Sequence, residues 1–183
     1  ILPDPETLMN GPLAGFLVID KAEGITSHKV VELVRRQLKI KKIGHLGTLD
    51  PMATGVLPLA VGRATRLAQF LMGGRKVYEG TIRLGLTTDT YDRLGQATSE
   101  FHQPRFSSDR LRSIVDSMVG EQMQTPPPYS AKKIGGKRAY RLARQGLQVD
   151  IPPQRVRIHK FKFRQHGADT IHFEIHCSPG TYI

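Results

Sequence analysis

Asp50 sits in GHLGTLDPMATG, residues 44–55, among three glycines (Gly44, Gly47, Gly55), small residues, Pro51 and one histidine, His45. Such a segment makes a poor helix and a poor strand interior, so it predicts a shaped loop whose backbone lies close to something. Two readings of the carboxylate stand side by side. An Asp-Pro turn can use the side chain to cap its own backbone, or the turn presents Asp50 for chemistry. The rest of the chain offers few rivals. It has no GxxxxGK(S/T) phosphate loop, no GxGxxG after a strand, no HExxH and no GxSxG elbow. Cys177 is the single cysteine and falls in a strand pattern, which excludes an internal disulfide and a Cys-type zinc site. His172, Glu174 and His176 are metal-ligand types. Ligands two apart on an extended strand spread along it, however, so these three read as a solvated outer face.

Charge is the strongest compositional signal. Lys and Arg number 27 against 16 acids, a net charge of +11, which favours a polyanionic partner. From Ala131 to Gly146 the chain reads AKKIGGKRAYRLARQG and carries Lys132, Lys133, Lys137, Arg138, Arg141 and Arg144 without an acid. A solvated helix face normally mixes both signs. This stretch, with Tyr140 inside it and Tyr129 just before, reads as a phosphate-binding surface. No apolar run approaches the ~20 residues of a membrane span. The acidic opening ILPDPETLMNGPLAG lacks a signal peptide's apolar core, and a cytoplasmic protein is expected. The start on Ile1 suggests upstream cleavage or a fragment.

A presented loop needs rigid elements around it, and 183 residues suit one domain or a domain with a small insertion. GFLVID (15–20) reads as a strand. In TSHKVVELVRRQLKI, Val30, Val31, Leu33, Val34 and Leu38 recur at helical spacing behind a Thr26 or Ser27 cap. VLPLAVG (56–62) reads as a buried strand and TRLAQFLM (65–72) as a helix closed by Gly73-Gly74. VYEGTIRLGL (77–86) alternates Tyr78, Gly80, Ile82 and Leu84 on one face. After a polar turn-rich stretch, Ser107 or Ser108 caps a helix with Leu111, Ile114, Val115 and Met118 inward, ended by Gly120. TPPPYSAKKIGGK (125–137) is irregular, with a turn or hinge at Gly135-Gly136. KRAYRLARQG then makes a short basic helix ending at Gly146. RVRIHKFKF (155–163) and DTIHFEIHC (169–177) pair as an antiparallel hairpin, with Ile171, Phe173, Ile175 and Cys177 on one face. The class is α+β around a largely antiparallel sheet.

Together these segments resemble the TruB family, the tRNA pseudouridine-55 synthases. The likeness runs from GFLVIDKAEGITS through GHLGTLDPMATGVLPLAVGRATRLAQFL, KVYEGTIRLGLTTDTYDRLG and TPPPYSAKKIGGKRAYRLARQG to CSPGTYI. Five blocks in order are highly specific where one glycine motif would be weak. The PPPYSAKKIGGKRAYRLARQG block is similar to the bacterial stand-alone type, not to the branch that works in guide-RNA particles. The resemblance implies the pseudouridine-synthase fold, a mixed and mainly antiparallel sheet flanked by helices and loops, with an RNA-binding thumb at 125–150.

The implied activity is isomerisation of uridine to pseudouridine in the T arm of tRNA. The family's G-H-x-G-x-L-D-P motif puts its nucleophile on Asp50, a residue type ionised at pH 7 whose adduct can leave again. The uracil N1–C1′ bond is exchanged for a C5–C1′ bond, so no cofactor and no metal are implied. By the same resemblance His45 fills the stacking space left by the flipped uridine, Tyr78 stacks on the uracil, and Tyr182 lines the pocket. The implied partner is the tRNA T stem-loop, with no membrane and no obligate protein partner, and the protein is expected to be a monomer. Residues 1–183 would be a catalytic domain incomplete at its C-terminal end, with a small C-terminal RNA-binding domain outside the chain. In the family CSPGTYI runs on into an arginine that pairs with the nucleophile, so this segment alone is expected to be inactive. A non-catalytic RNA-binding or tRNA-folding module is the alternative.

Overall fold

The computed structural model describes residues 13–127, 130, 132–134, 136–139, 142, 145, 147 and 150–183, with 133, 134, 137 and 138 described by their backbone. Contacts divide the chain into two compact units, Ile1–Gly73 and Gly74–Ile183.

In the first unit β1 (Gly15–Lys21) is followed by α1 (Ser27–Leu38), β2 (Ile43–His45) and β3 (Gly55–Val61). The sheet order is β1-β3-β2, antiparallel throughout. Alternation along β1 and β3 puts Leu17 opposite Leu59 and Ile19 opposite Leu57. These face Val30, Val31, Val34 and Leu38 of α1, and with Ile43 and Val61 they form one apolar core. Thr26 is the cap: its hydroxyl accepts the Lys29 N–H at 3.1 Å, and Lys39 ends the helix in the left-handed region at φ 55°.

The helix expected over 65–72 is instead a 3₁₀ helix, Gly62–Leu67, continued by one turn of α-helix, α2 (Ala68–Leu71). Gly62 turns the chain at φ 59°, where a Cβ would run into the Leu13 carbonyl oxygen. The Thr65 hydroxyl then donates to the Gly62 carbonyl at 2.8 Å, three residues back, and tightens the turn.

The second unit contains β4 (Lys76–Arg83), α3 (Ser108–Ser117), β5 (Gly120–Gln124), β6 (Lys133–Ile134), β7 (Lys137–Arg138), β8 (Gln154–Gln165) and β9 (Thr170–Cys177). Its main sheet has the order β4-β9-β8-β5, antiparallel at every step. Leu111 and Val115 of α3 pack on Ile171 with Leu84, Phe106, Phe161 and Phe163 around them. Ser107 is the α3 cap, accepting the Arg110 N–H at 3.1 Å.

Four expectations in this unit need correction. Ile114 and Met118 are about 40% exposed, because α3 touches the sheet through a narrow stripe centred on Leu111 and Val115. β4 stops at Arg83, since Gly85 turns at φ 84° and its carbonyl takes the His102 N–H at 2.9 Å. Gly120 does not end the helix, which stops at Ser117 with Met118 as its C-cap, but opens β5, an unforeseen strand. Lys137 and Arg138 form β7, paired with β6 across a turn at Gly136 (φ 82°), rather than the start of a helix. Helical backbone begins at Ala139 and is present at Leu142.

Candidate active site

The loop between β2 and β3 is built on two buried polar side chains from the β1–α1 corner. Ser27, 2% exposed, donates its hydroxyl to the Leu49 carbonyl and accepts the Leu49 N–H, both at 2.9 Å. Lys21 is fully buried, and its ammonium donates to the carbonyls of Ile25 (2.7 Å), Ala22 (3.0 Å) and Pro51 (3.2 Å). Pro51 also accepts the Gly24 N–H at 2.8 Å. The Asp50 carbonyl accepts the Ala53 N–H at 3.0 Å, which closes a turn with Pro51 in its second position, where the fixed φ of proline fits.

Residues on either side of Asp50 are thus fastened while Asp50 itself lies exposed. Burial pushes the Lys21 ammonium below its ordinary pKa, and the carboxylates of Asp50 and Glu23 oppose that shift. Lys21 therefore joins the loop to Asp50 electrostatically as well as by hydrogen bonds. Gly55 is required by its backbone, at φ 109°. Gly44 and Gly47 differ: neither has a positive φ, and a Cβ on either would meet no atom of the described residues within 4 Å. Among the described residues neither conformation nor packing accounts for them, so there they leave bare backbone.

His45 ends β2, half-buried and opposite Leu59 on β3, so His45 and Asp50 both belong to the first unit. Tyr78 and Tyr182 belong to the second. Tyr78 is half-buried in β4, opposite Ile175 of β9. Beside it the Phe173 ring lies over Gly80, where a Cβ would stand 2.8 Å from the ring. Tyr182 is half-buried behind the turn Ser178–Thr181.

Of the six cations expected to bind RNA, Lys132 donates its ammonium to Gln154 Oε1 at 2.8 Å, and Gln154 in turn donates to the Gly180 carbonyl at 2.5 Å. Lys133, Lys137 and Arg138 lie in the β6–β7 hairpin. Arg141 and Arg144, with Tyr129 and Tyr140, lie outside the described residues. On the outer face of the main sheet, His172 pairs with Thr81 at 2.9 Å and Glu174 with His176 at 2.8 Å. Lys160 and Lys162 approach Glu174 at 3.5 and 3.7 Å. The hydrogen bond from His176, helped by the two lysines, holds the Glu174 carboxyl below its usual range. Cys177 is fully buried and its thiol is pushed up by burial, as suits a packing residue.

Sequence reasoning passed over Lys21 and weighed Ser27 only as a cap. The available signal was a lysine ending an apolar strand: a side chain that continues the alternation of β1 inward must find acceptors there.

Residues 35–183 match the family model described as TruB family pseudouridylate synthase (N terminal domain). The chain is 48% identical over 169 residues to tRNA pseudouridine synthase B of Solibacter usitatus, covering 92% of this chain and 58% of that protein. The namesake from Prochlorococcus marinus is 46% identical over 177 residues, covering 96% and 56%. The one from Aquifex aeolicus is 46% identical over 148 residues, covering 81% and 51%. The chain thus spans little more than half the length of these curated relatives. Among solved structures, a chain of a Cbf5-Nop10-Gar1 complex superposes with a TM-score of 0.66 at 25% identity, covering 92% of this chain and 41% of that one. A chain of an H/ACA RNP bound to a substrate RNA containing 2′-deoxyuridine gives 0.62 at 24% identity, covering 92% and 39%, a likeness of fold.

Proposed function

The chain belongs to the TruB family of pseudouridylate synthases, and from that premise we propose that it carries the nucleophile of a tRNA pseudouridine synthase acting on the T arm, at position 55. The observation that carries this reading is the Asp50 turn. An exposed carboxylate stands on a backbone fastened by Lys21 and Ser27, near Gly44 and Gly47, which neither positive φ nor packing among the described residues requires. Bare backbone at Gly44 and Gly47 suits the close approach of a nucleotide, and a fixed turn suits a nucleophile that must meet one carbon.

The reaction breaks N1–C1′ and forms C5–C1′; the C5 proton leaves and N1 gains one, so atoms and electrons balance without a co-reactant. Asp50 keeps the base or the sugar from escaping between the two bonds. A stacked or paired uridine cannot reach a carboxylate at a protein surface, so the base is flipped, at a cost of a few kcal/mol. His45 takes the vacated stacking place, Tyr78 stacks on the uracil and Tyr182 lines its pocket. The basic segment 125–150 grips the phosphates and offsets the flipping cost. On this reading the protein works on tRNA in the cytoplasm, as a monomer without a protein partner or cofactor. Among the described residues no helix is long and apolar enough to cross a membrane.

The test is Asp50→Asn in the full-length protein, incubated with unmodified tRNA and followed by pseudouridine mapping. Isomerisation should vanish while RNA affinity stays within about three-fold, since the change removes the nucleophile and keeps the shape. A variant that still isomerises would show that Asp50 is not the nucleophile, whereas no pseudouridine even from the unsubstituted protein would leave it an RNA-binding or RNA-folding module.

A further inference from the structure

Tyr182 is gripped on both sides of its main chain by one side chain. Gln124, the last residue of β5, accepts the Tyr182 N–H at Oε1 (2.9 Å) and donates from Nε2 to the Tyr182 carbonyl (2.8 Å). A primary amide carries one acceptor and one donor side by side, so it reproduces the two bonds that a neighbouring strand would give one residue. It orients the peptide units before and after Tyr182, and with them the direction in which the ring leaves the chain.

The turn ahead of Tyr182 has its own anchors. Ser178 donates its N–H to the Arg157 carbonyl at 2.8 Å and accepts the Arg157 N–H at its hydroxyl at 2.9 Å. Thr181 Oγ1 donates to the Ser178 carbonyl at 2.9 Å, and Gln154 holds the Gly180 carbonyl. None of these bonds involves Gln124. The turn stays folded without it, and what Gln124 adds is the placement of the residue that follows.

We propose that Gln124 is a positioning residue for the reaction, setting the Tyr182 ring in the uridine pocket and acting on the nucleoside only through that ring. This rests on the reading of Tyr182 as a pocket residue given under Proposed function. The sequence hides the role, because a glutamine in the polar run GEQMQ has no apolar pattern to mark it.

The test is a double-mutant cycle in the full-length protein, with single-turnover rates and tRNA affinity measured for Gln124→Leu, Tyr182→Leu and the pair. Gln124→Leu should lower the rate roughly 10- to 100-fold, the scale of a misplaced site group, with tRNA affinity within about three-fold. Tyr182→Leu should lower the rate at least as far, and the double variant should be no slower than Tyr182→Leu alone. Gln124→Glu, which keeps the acceptor for the Tyr182 N–H and loses the donor, should fall between the wild type and Gln124→Leu. It serves alone if the leucine variant does not fold. Multiplying effects in the double variant, or a wild-type rate in Gln124→Leu or Gln124→Glu while Tyr182→Leu is slow, overturns the positioning role. A wild-type rate in Tyr182→Leu instead overturns the pocket assignment of Tyr182 on which the proposal stands.

Discussion

Replacing Lys21 by Met tests whether the Asp50 turn is held from beneath. The substitution keeps an unbranched side chain of similar length in a fully buried place, so packing changes little and the three hydrogen bonds to Ala22, Ile25 and Pro51 are what is lost. The Pro51 carbonyl keeps the Gly24 N–H, so the main deficit falls on the carbonyls of Ala22 and Ile25. A carbonyl left without its donor costs up to about 1–3 kcal/mol, the full amount only where water cannot replace the lysine, and both bonds are part-buried. Removing a desolvated ammonium returns part of that sum, since burial already disfavours its charge. The net loss in local stability is about 2 kcal/mol, or roughly 30-fold faster opening. Amide hydrogen exchange reads this at the Gly24 and Ala53 N–H groups, bonded to Pro51 and Asp50. Both should accelerate by that factor, while Val34, two turns into α1, should not. Unchanged exchange at Gly24 and Ala53 would refute the view that Lys21 organises the turn.

The basic hairpin gives a second prediction: alanine at Lys133, Lys137 and Arg138 together should weaken tRNA binding and flatten its salt dependence by up to about one log–log unit per lost phosphate contact. Binding titrations from low to moderate salt check this, and an unchanged slope would put the phosphate contacts elsewhere. A third concerns Glu174, whose folded-state pKa lies below the ordinary 4.5 because of its bond with His176. The unfolded chain binds more protons just below pH 4.5, so Glu174 contributes stability above that pH and loses it as the pH falls through the lowered value. His176→Ala should shrink this acid-limb loss in chemical unfolding curves recorded across that range.

Much of the scaffold was legible because it is written in apolar periodicity. The valines of α1 and the alternation of Ile171, Phe173, Ile175 and Cys177 each bury one face, and both elements stand where their patterns place them. The Asp-Pro turn was legible from proline chemistry. β5 was not, because an edge strand reading GEQMQ buries little apolar surface and is defined by its ladder with β8. The break at Gly62 was hidden for a different reason: a left-handed glycine against a distant carbonyl is a fact of tertiary packing. Residue types pointed to Asp50 as the candidate, but the supports of its turn did not announce themselves. Lys21 and Pro51, like Ser27 and Leu49, are far apart along the chain, and only folding shows that one lysine and one serine fasten the turn.

That fastening has a kinetic consequence. A loop tied at Leu49 and Pro51 to buried groups has little freedom to reach toward a ligand, so on the proposed reaction the conformational work of encounter falls on the RNA. Productive collisions are then paced by how often the target nucleotide swings out of its own stack. Substrates whose uridine is already loosened would be captured faster than tightly stacked ones, even where the two bind equally well once seated.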